Sequence, residues 1–216
     1  MIPRRIFAVI PAAGHSRRMG QPKLLLPLGG ETVIAHFLWA LAVPEIAETV
    51  IVIRRDDALL KEAVEQISSR SDAKVTVIQP EIDPPEMRAS VAHALVHLAR
   101  SQNPGATDAW LLSPADHPAL DRDLIVSLAR RWQTVQEPVL TPVHAGRRGH
   151  PVLLSWELAE KIDSIPQGEG LNWLVRASPV AEFSVACPGV FADLDTPADY
   201  AEFLRQWENS ASRRVP

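Results

Sequence analysis

The run Ile10-Pro11-Ala12-Ala13-Gly14-His15-Ser16-Arg17-Arg18-Met19-Gly20-Gln21-Pro22-Lys23-Leu24-Leu25-Leu26-Pro27 frames the reading of the whole chain. An apolar stretch, Ile6 to Ile10, feeds the backbone into a turn of small residues at Ala12, Ala13 and Gly14. Small residues let a backbone approach a ligand closely, and N–H groups in such a turn bind anions. Arg17, Arg18 and Lys23 bring into the same loop the charge that a polyphosphate needs. The stretch reads as a nucleotide-triphosphate loop after the first strand of an α/β domain; the plainer alternative is a basic surface turn behind a buried strand. A Walker A loop is excluded, because five residues separate Gly14 from Gly20 and Gln-Pro-Lys follows. A dinucleotide fingerprint is excluded too, since its second glycine is missing.

The rest of the chain alternates between strand-like and helix-like segments. Strands are expected at Ile6–Ile10, Thr49–Ile53, Val75–Ile78, Ala109–Ser113 and Val139–Pro142, with weaker signals at Val152–Leu154 and Ala181–Val185. Helices are expected at Val33–Ala42, Ala58–Ser68, Ala89–Arg100, Asp121–Trp132, Trp156–Ile162 and Ala198–Trp207. This order predicts a three-layer α/β/α sandwich around a mostly parallel, Rossmann-like sheet. Residues 1–208 are expected to form one domain and 209–216 a flexible tail.

Composition narrows the function classes. The chain has 216 residues, enough for one α/β domain with a substantial core. A formal charge of −4 gives no support for nucleic-acid or membrane binding. Cys187 is the only cysteine, which excludes an internal disulfide or a cysteine-based zinc site. The apolar run after Arg4 and Arg5 is too short for a signal peptide, so a cytoplasmic location is expected. His93 and His97 share a helix face, but Ala94 follows His93, so the zinc-helix pattern is incomplete and a surface or half-buried pair is expected. The six tryptophans are read as packing residues.

The loop resembles the Ala-Ala-Gly-x-Ser-x-Arg-Met-Gly-x-x-Lys signature of the nucleotidyltransferases, and within them the molybdenum cofactor cytidylyltransferases and other MobA-like proteins. Ala12, Ala13, Gly14, Ser16, Arg18, Met19, Gly20 and Lys23 fill every specified position. The resemblance implies the nucleotide-diphospho-sugar transferase type of fold, with Ala12, Ala13, Gly14, Ser16, Arg18 and Lys23 binding the nucleotide. It also implies transfer of a nucleoside monophosphate, with pyrophosphate leaving. Ala13 matches cytidylyltransferases, which carry Ala-Ala-Gly where guanylyltransferases carry Ala-Gly-Gly, so CTP is the expected nucleotide. The expected acceptor is molybdopterin or another phosphorylated small molecule, with a molybdoenzyme as a further partner.

Nucleotidyl transfer puts charge on phosphate oxygens, so the protein's work is in-line positioning and electrostatic stabilisation. Mg²⁺, or Mn²⁺ in its place, suits that task, held by one or two carboxylates plus phosphates. Asp116 follows the strand Ala109–Ser113, where open α/β sheets bind ligands. It matches the metal-holding aspartate of the family's Gly-Asp-Gln-Pro, although Ala115 and His117 replace glycine and glutamine. A turn aspartate bonded to nearby N–H groups is the competing reading. The string Asp193-Leu194-Asp195-Thr196-Pro197 resembles the family's Asp-x-Asp-Thr-Pro, which implies Asp195 as the second metal ligand. Asp193 would share its side if the segment is extended; capping of the last helix is the local alternative for Asp195, and a capping residue can serve both ends.

By resemblance, Gly146-Arg147-Arg148-Gly149-His150-Pro151 lines the acceptor side, so Arg148 and His150 are expected acceptor residues, with a solvated hairpin turn as the alternative; His117 is a third, expected to bear on acceptor specificity because it sits next to Asp116. Met87-Arg88-Ala89-Ser90-Val91 resembles the segment opening a helix near the nucleotide sugar, which implies a nucleotide contact for Ser90. Glu86 stands where glycine is usual. The expected catalytic group is Arg18, Lys23 and Asp116. The rival readings are the same chemistry on a sugar phosphate or other phosphorylated metabolite, a silent nucleotide-binding regulator or cofactor chaperone, and an oxidoreductase.

Overall fold

A computed structural model describes residues 3–117, 120–186 and 194–212. The elements in chain order are β1 (Ile6–Pro11), β2 (Pro27–Leu28), β3 (Glu31–Thr32), α1 (Val33–Leu41), β4 (Ile46–Val52), α2 (Ala58–Ser68), β5 (Val75–Ile78) and α3 (Met87–Gln102). They continue with β6 (Ala109–Leu112), α4 (Arg122–Trp132), β7 (Val139–His144), β8 (Arg147–Arg148), β9 (Val152–Ser155), α5 (Asn172–Arg176), β10 (Val180–Ser184) and α6 (Pro197–Ser212).

The main sheet runs β10-β7-β9-β6-β1-β4-β5, with β8 on β7. Strands β4 and β6 flank β1 in parallel, β5 pairs parallel with β4, and β10 with β7. Strand β9 runs antiparallel to both β6 and β7. The reason is the connection: residues 145–151 join β7 to β9, too short for the crossover of about a dozen residues that a parallel return requires. Because β4 and β6 lie on opposite sides of β1, the chain reverses direction there, and the C-terminal ends of the parallel strands open a crevice.

Residues Ile6 to Ile10 are all buried and divide by alternation between two cores. Ile6, Ala8 and Ile10 pack with Ile34 of α1, Val64 of α2 and Leu128 of α4. Phe7 and Val9 pack with Val91 and Leu98 of α3, Ile162 and Leu174 on the other face. A strand covered on both sides needs this unbroken apolar run, and the three-layer α/β/α sandwich follows from it. Local caps fix the helix starts: Thr32 accepts from Ala35 N at 3.3 Å, Asp57 from Leu60 N at 3.3 Å and Asp121 from Asp123 N at 2.9 Å.

Several expectations shift. Trp156–Ser164 is a 3-10 helix rather than an α-helix. The short helix α5 and the small strands β2, β3 and β8 carry no periodicity that would announce them. Helix α3 starts at Met87, before the expected Ala89, and α6 continues to Ser212 into the expected tail. Trp110, Trp132 and Trp156 are buried, as packing residues should be. His97 bonds Glu48 at 3.3 Å. Asp193 and Cys187 lie outside the described residues. No helix among the described residues is long and apolar enough to cross a membrane.

Candidate active site

A cleft of about 730 Å³ lies at the C-terminal ends of β1, β4, β5 and β6. The loop after β1 forms one wall. Ala12 N donates to Val52 O at 2.8 Å, so the small-residue turn stays tied to the sheet as it leaves β1. Ser16 adopts φ 50, and its carbonyl accepts from Met19 N and Gly20 N, each at 3.0 Å. Gly20 at φ 73 completes the reversal, a conformation open to glycine without steric penalty. Met19 is buried, so this one side chain roots the loop while Arg17 and Arg18 stand exposed beside it. Lys23 then opens a 3-10 turn, Lys23–Leu25, with its N–H 3.4 Å from Ser16 Oγ.

The two aspartates singled out in the sequence meet at Lys23. Its Nζ contacts Asp116 Oδ2 and lies 3.2 Å from Asp195 Oδ1, while Arg18 Nη2 lies 2.9 Å from Asp195 Oδ2. A backbone bond, Leu194 N to Asp116 O at 3.1 Å, joins the two acidic segments directly. The competing local roles are both taken elsewhere or unused. Thr196 and Asp199 cap α6 reciprocally: Thr196 N donates to Asp199 Oδ2 at 2.8 Å and Asp199 N to Thr196 Oγ1 at 3.2 Å. Asp195 is therefore released from capping. Asp116 Oδ1 is buried and accepts no hydrogen bond, so the carboxylate is not a satisfied turn group.

Two carboxylates aimed at one point, one with an unused buried oxygen, match the oxygen-donor set that a hard divalent cation takes when phosphates complete its shell. Among the described residues no group of three or more His, Cys, Asp or Glu side chains converges to hold a metal alone. Mg²⁺ fits such a pair, since it keeps water and phosphate ligands rather than demanding an all-protein cage.

Ala12, Ala13, Gly14, Ser16, Lys23, Ser90 and Asp116 all line the cleft. Glu86 lines it as well, at the start of α3, with its charge partnered by Arg88 at 3.0 Å. His117 and His150, two of the expected acceptor residues, meet edge to face with ring centroids 5.2 Å apart; neither lines the cleft itself, although His117 Nε2 stands 4.0 Å from Asp116 Oδ1. Burial, reinforced by the neighbouring His117, pushes the His150 imidazole down to about 4, so it is neutral near pH 7. Arg148 differs from its expected placement. It is exposed on β8, paired with Glu182 at 2.8 Å, and does not line the cleft.

Sequence reasoning missed Arg54, Asp57 and Asp83, which also line the cleft. Arg54 reaches from the end of β4 to Gly14 O at 3.4 Å and His15 Nδ1 at 3.2 Å, braced by Asp57 at 2.8 Å. Its position directly after a parallel strand was the available signal.

Residues 8–182 match the MobA-like NTP transferase domain. The chain belongs to that family. It is a nucleotidyltransferase of the MobA-like type, and the MobA-like domain covers the nucleotide loop, Asp116 and the histidine pair. The chain is 29% identical over 206 residues to the molybdenum cofactor guanylyltransferase of Rhodopseudomonas palustris (strain HaA2), covering 90% of this chain and 89% of that protein. It is 32% identical over 132 residues to the 2-C-methyl-D-erythritol 4-phosphate cytidylyltransferase of Shewanella frigidimarina (strain NCIMB 400), covering 59% of this chain and 52% of that one. Its fold is similar to that of Rv0371c from Mycobacterium tuberculosis H37Rv, solved in complex with manganese, with TM-score 0.68 and 22% identity over 93% of this chain and 98% of that chain.

Proposed function

We propose that this MobA-like nucleotidyltransferase transfers CMP from CTP to a phosphorylated acceptor of the molybdopterin class, with Mg²⁺ or Mn²⁺ held by Asp116 and Asp195. The observation that carries the proposal is the convergence of both carboxylates with Lys23 and Arg18 beside the small-residue turn. When bound, the divalent ion neutralises charge on the reacting phosphate oxygens. The Ala12–Gly14 backbone comes close to the nucleotide, and Lys23 and Arg18 hold the triphosphate by charge-assisted hydrogen bonds. Ser90, buried in the first turn of α3, faces the cleft where the sugar would lie.

An acceptor phosphate oxygen then attacks the α-phosphorus; the new P–O bond forms as the bond to pyrophosphate breaks. No general base is required, because a phosphate monoester is already ionised at neutral pH. His150, neutral near pH 7, and its neighbour His117 would offer ring nitrogens to the acceptor beside Asp116. Ala13 supports cytosine, while the guanylyltransferase relative makes GTP the alternative to be tested alongside. The erythritol-phosphate cytidylyltransferase relative supports a sugar-type phosphate as the second acceptor class.

The test is pyrophosphate release with each nucleoside triphosphate and a panel of phosphorylated acceptors, with Mg²⁺. Release is expected with CTP and a pterin phosphate, and Asp116→Ala should remove it while the circular dichroism spectrum is unchanged. Turnover in Asp116→Ala at the unsubstituted rate would refute the assignment of the metal-holding carboxylate.

A further inference from the structure

Lys23 bridges the two aspartates through one oxygen of each, Asp116 Oδ2 and Asp195 Oδ1. Its Nζ contacts Asp116 and lies 3.2 Å from Asp195 Oδ1, and its side chain is only 17% exposed. Arg18 takes the other oxygen of Asp195 at 2.9 Å. Two negative and two positive charges are thus balanced within one cluster. The Lys23 N–H lies 3.4 Å from Ser16 Oγ at the start of the 3-10 turn, and the four-carbon side chain gives the ammonium its reach.

We infer that Lys23 is a built-in counter-ion for the metal-holding aspartates, and that a divalent cation enters only with, or after, a polyphosphate that draws Lys23 away. The inference rests on the functional reading above and adds an order to it. In the nucleotide-free protein a dication shared by the two carboxylates must displace the ammonium that bridges Asp116 Oδ2 and Asp195 Oδ1, and even at the open Asp116 Oδ1 it would meet the repulsion of that neighbouring like charge. A triphosphate arriving at the Ala12–Lys23 loop offers that ammonium a denser set of acceptors and exposes both carboxylates at once. Metal and nucleotide affinities are then positively coupled, and the coupling is reciprocal. The enzyme therefore does not hold a divalent ion in wait for its substrate.

Mn²⁺ binding to the nucleotide-free protein, read by the loss of the free-ion electron paramagnetic resonance signal, tests this directly. Lys23→Met is expected to bind Mn²⁺ about tenfold more tightly than the unsubstituted chain, as expected for removing one charge at contact distance in a partly screened site. Lys23→Arg, which keeps the charge, is expected to stay within about threefold of the unsubstituted affinity. By linkage, the ratio of CTP affinities with and without Mn²⁺ should fall about tenfold in Lys23→Met. A tighter site cannot result from damage to the fold, so the direction of the change is diagnostic. Equal or weaker Mn²⁺ binding in Lys23→Met overturns the inference and leaves the metal assignment standing, provided that Asp116→Asn still lowers Mn²⁺ affinity. If Asp116→Asn has no effect on Mn²⁺ binding in either background, the metal assignment itself fails and the inference falls with it.

Discussion

Replacing Asp108 with alanine should weaken the fold while sparing the chemistry. Asp108 closes the turn from Gly105 into β6, at the end of the sheet opposite the cleft, and it is only 7% exposed. Its carboxylate accepts four hydrogen bonds: Arg5 N at 2.8 Å, Arg5 Nε at 3.0 Å, Arg5 Nη2 at 2.7 Å and Gly105 N at 3.0 Å. Two of the donors are backbone amides with no other acceptor among the described bonds, and hydrogen bonds to a charged group are worth about 1.5–3 kcal/mol each. The guanidinium fork contributes less, because the Arg5 side chain is 41% exposed and recovers hydration when released. Discounting for water reaching the vacated site, Asp108→Ala is expected to lose about 2–4 kcal/mol, most of it from the two backbone amides left without their acceptor. Urea unfolding followed by tryptophan fluorescence should show a lower midpoint at an unchanged slope. Asp108→Asn, which presents one acceptor oxygen and one donor amide, should recover less than half of the loss. A loss below about 1 kcal/mol, or full recovery by asparagine, would refute the view that this carboxylate clamps β1 to β6.

Other substitutions probe other levels of the structure. Gly29 has φ 55, and a Cβ there would lie 2.8 Å from Trp207 Nε1; Gly29→Ala should cost about 1–3 kcal/mol and lower the Tm by several degrees in calorimetry. Glu48 is buried beneath Lys74, Thr76, His97 and Gln102. Burial raises its pKa, but the Lys74 and Thr76 hydrogen bonds, then His97, outweigh this and hold it below the usual 4.5. A depressed carboxylate stabilises the fold above the unfolded-state pKa and loses that contribution as pH falls through the folded one. Urea midpoints should therefore drop more steeply below pH 4.5 in the native chain than in Glu48→Gln. Ala13→Gly should shift the ratio of kcat/KM for CTP over GTP by about tenfold towards GTP, as one methyl group at a base-contact position allows; an unchanged ratio in steady-state kinetics would show that Ala13 does not read the base.

The parts of the site confined to one stretch of chain were legible, because their chemistry demands particular residue types at fixed spacing. The loop from Ala12 to Lys23 is of this kind, and so is Asp116 at the end of an apolar strand. Arg54 was not read, since its place directly after a strand is a weak signal and its contact with the loop is made across the sheet from another strand. Arg148 read as an acceptor residue because two glycines and two arginines suit a phosphate; its pairing with Glu182 of β10 is a contact no local pattern encodes. The segment Trp156–Ser164 carries helical spacing, yet it folds as a 3-10 helix with Trp156, Leu158 and Ile162 buried against the α3 side of the sheet.

The alternation of apolar runs and amphipathic helices determined the three-layer architecture, because a strand buried on both faces and a helix with one apolar stripe have few other ways to escape water. The loop from Ala12 to Lys23 was likewise determined locally, by small residues and clustered cations. Tertiary structure alone decided where the Asp195 carboxylate sits. Capping and ligation are both compatible with Asp-Thr-Pro in the chain, and only the reciprocal bonds of Thr196 with Asp199 free the carboxylate to meet Lys23 and Arg18. The placement of Lys23 between two aspartates distant in sequence was decided in the same way, since electrostatic partners are chosen by distance in space.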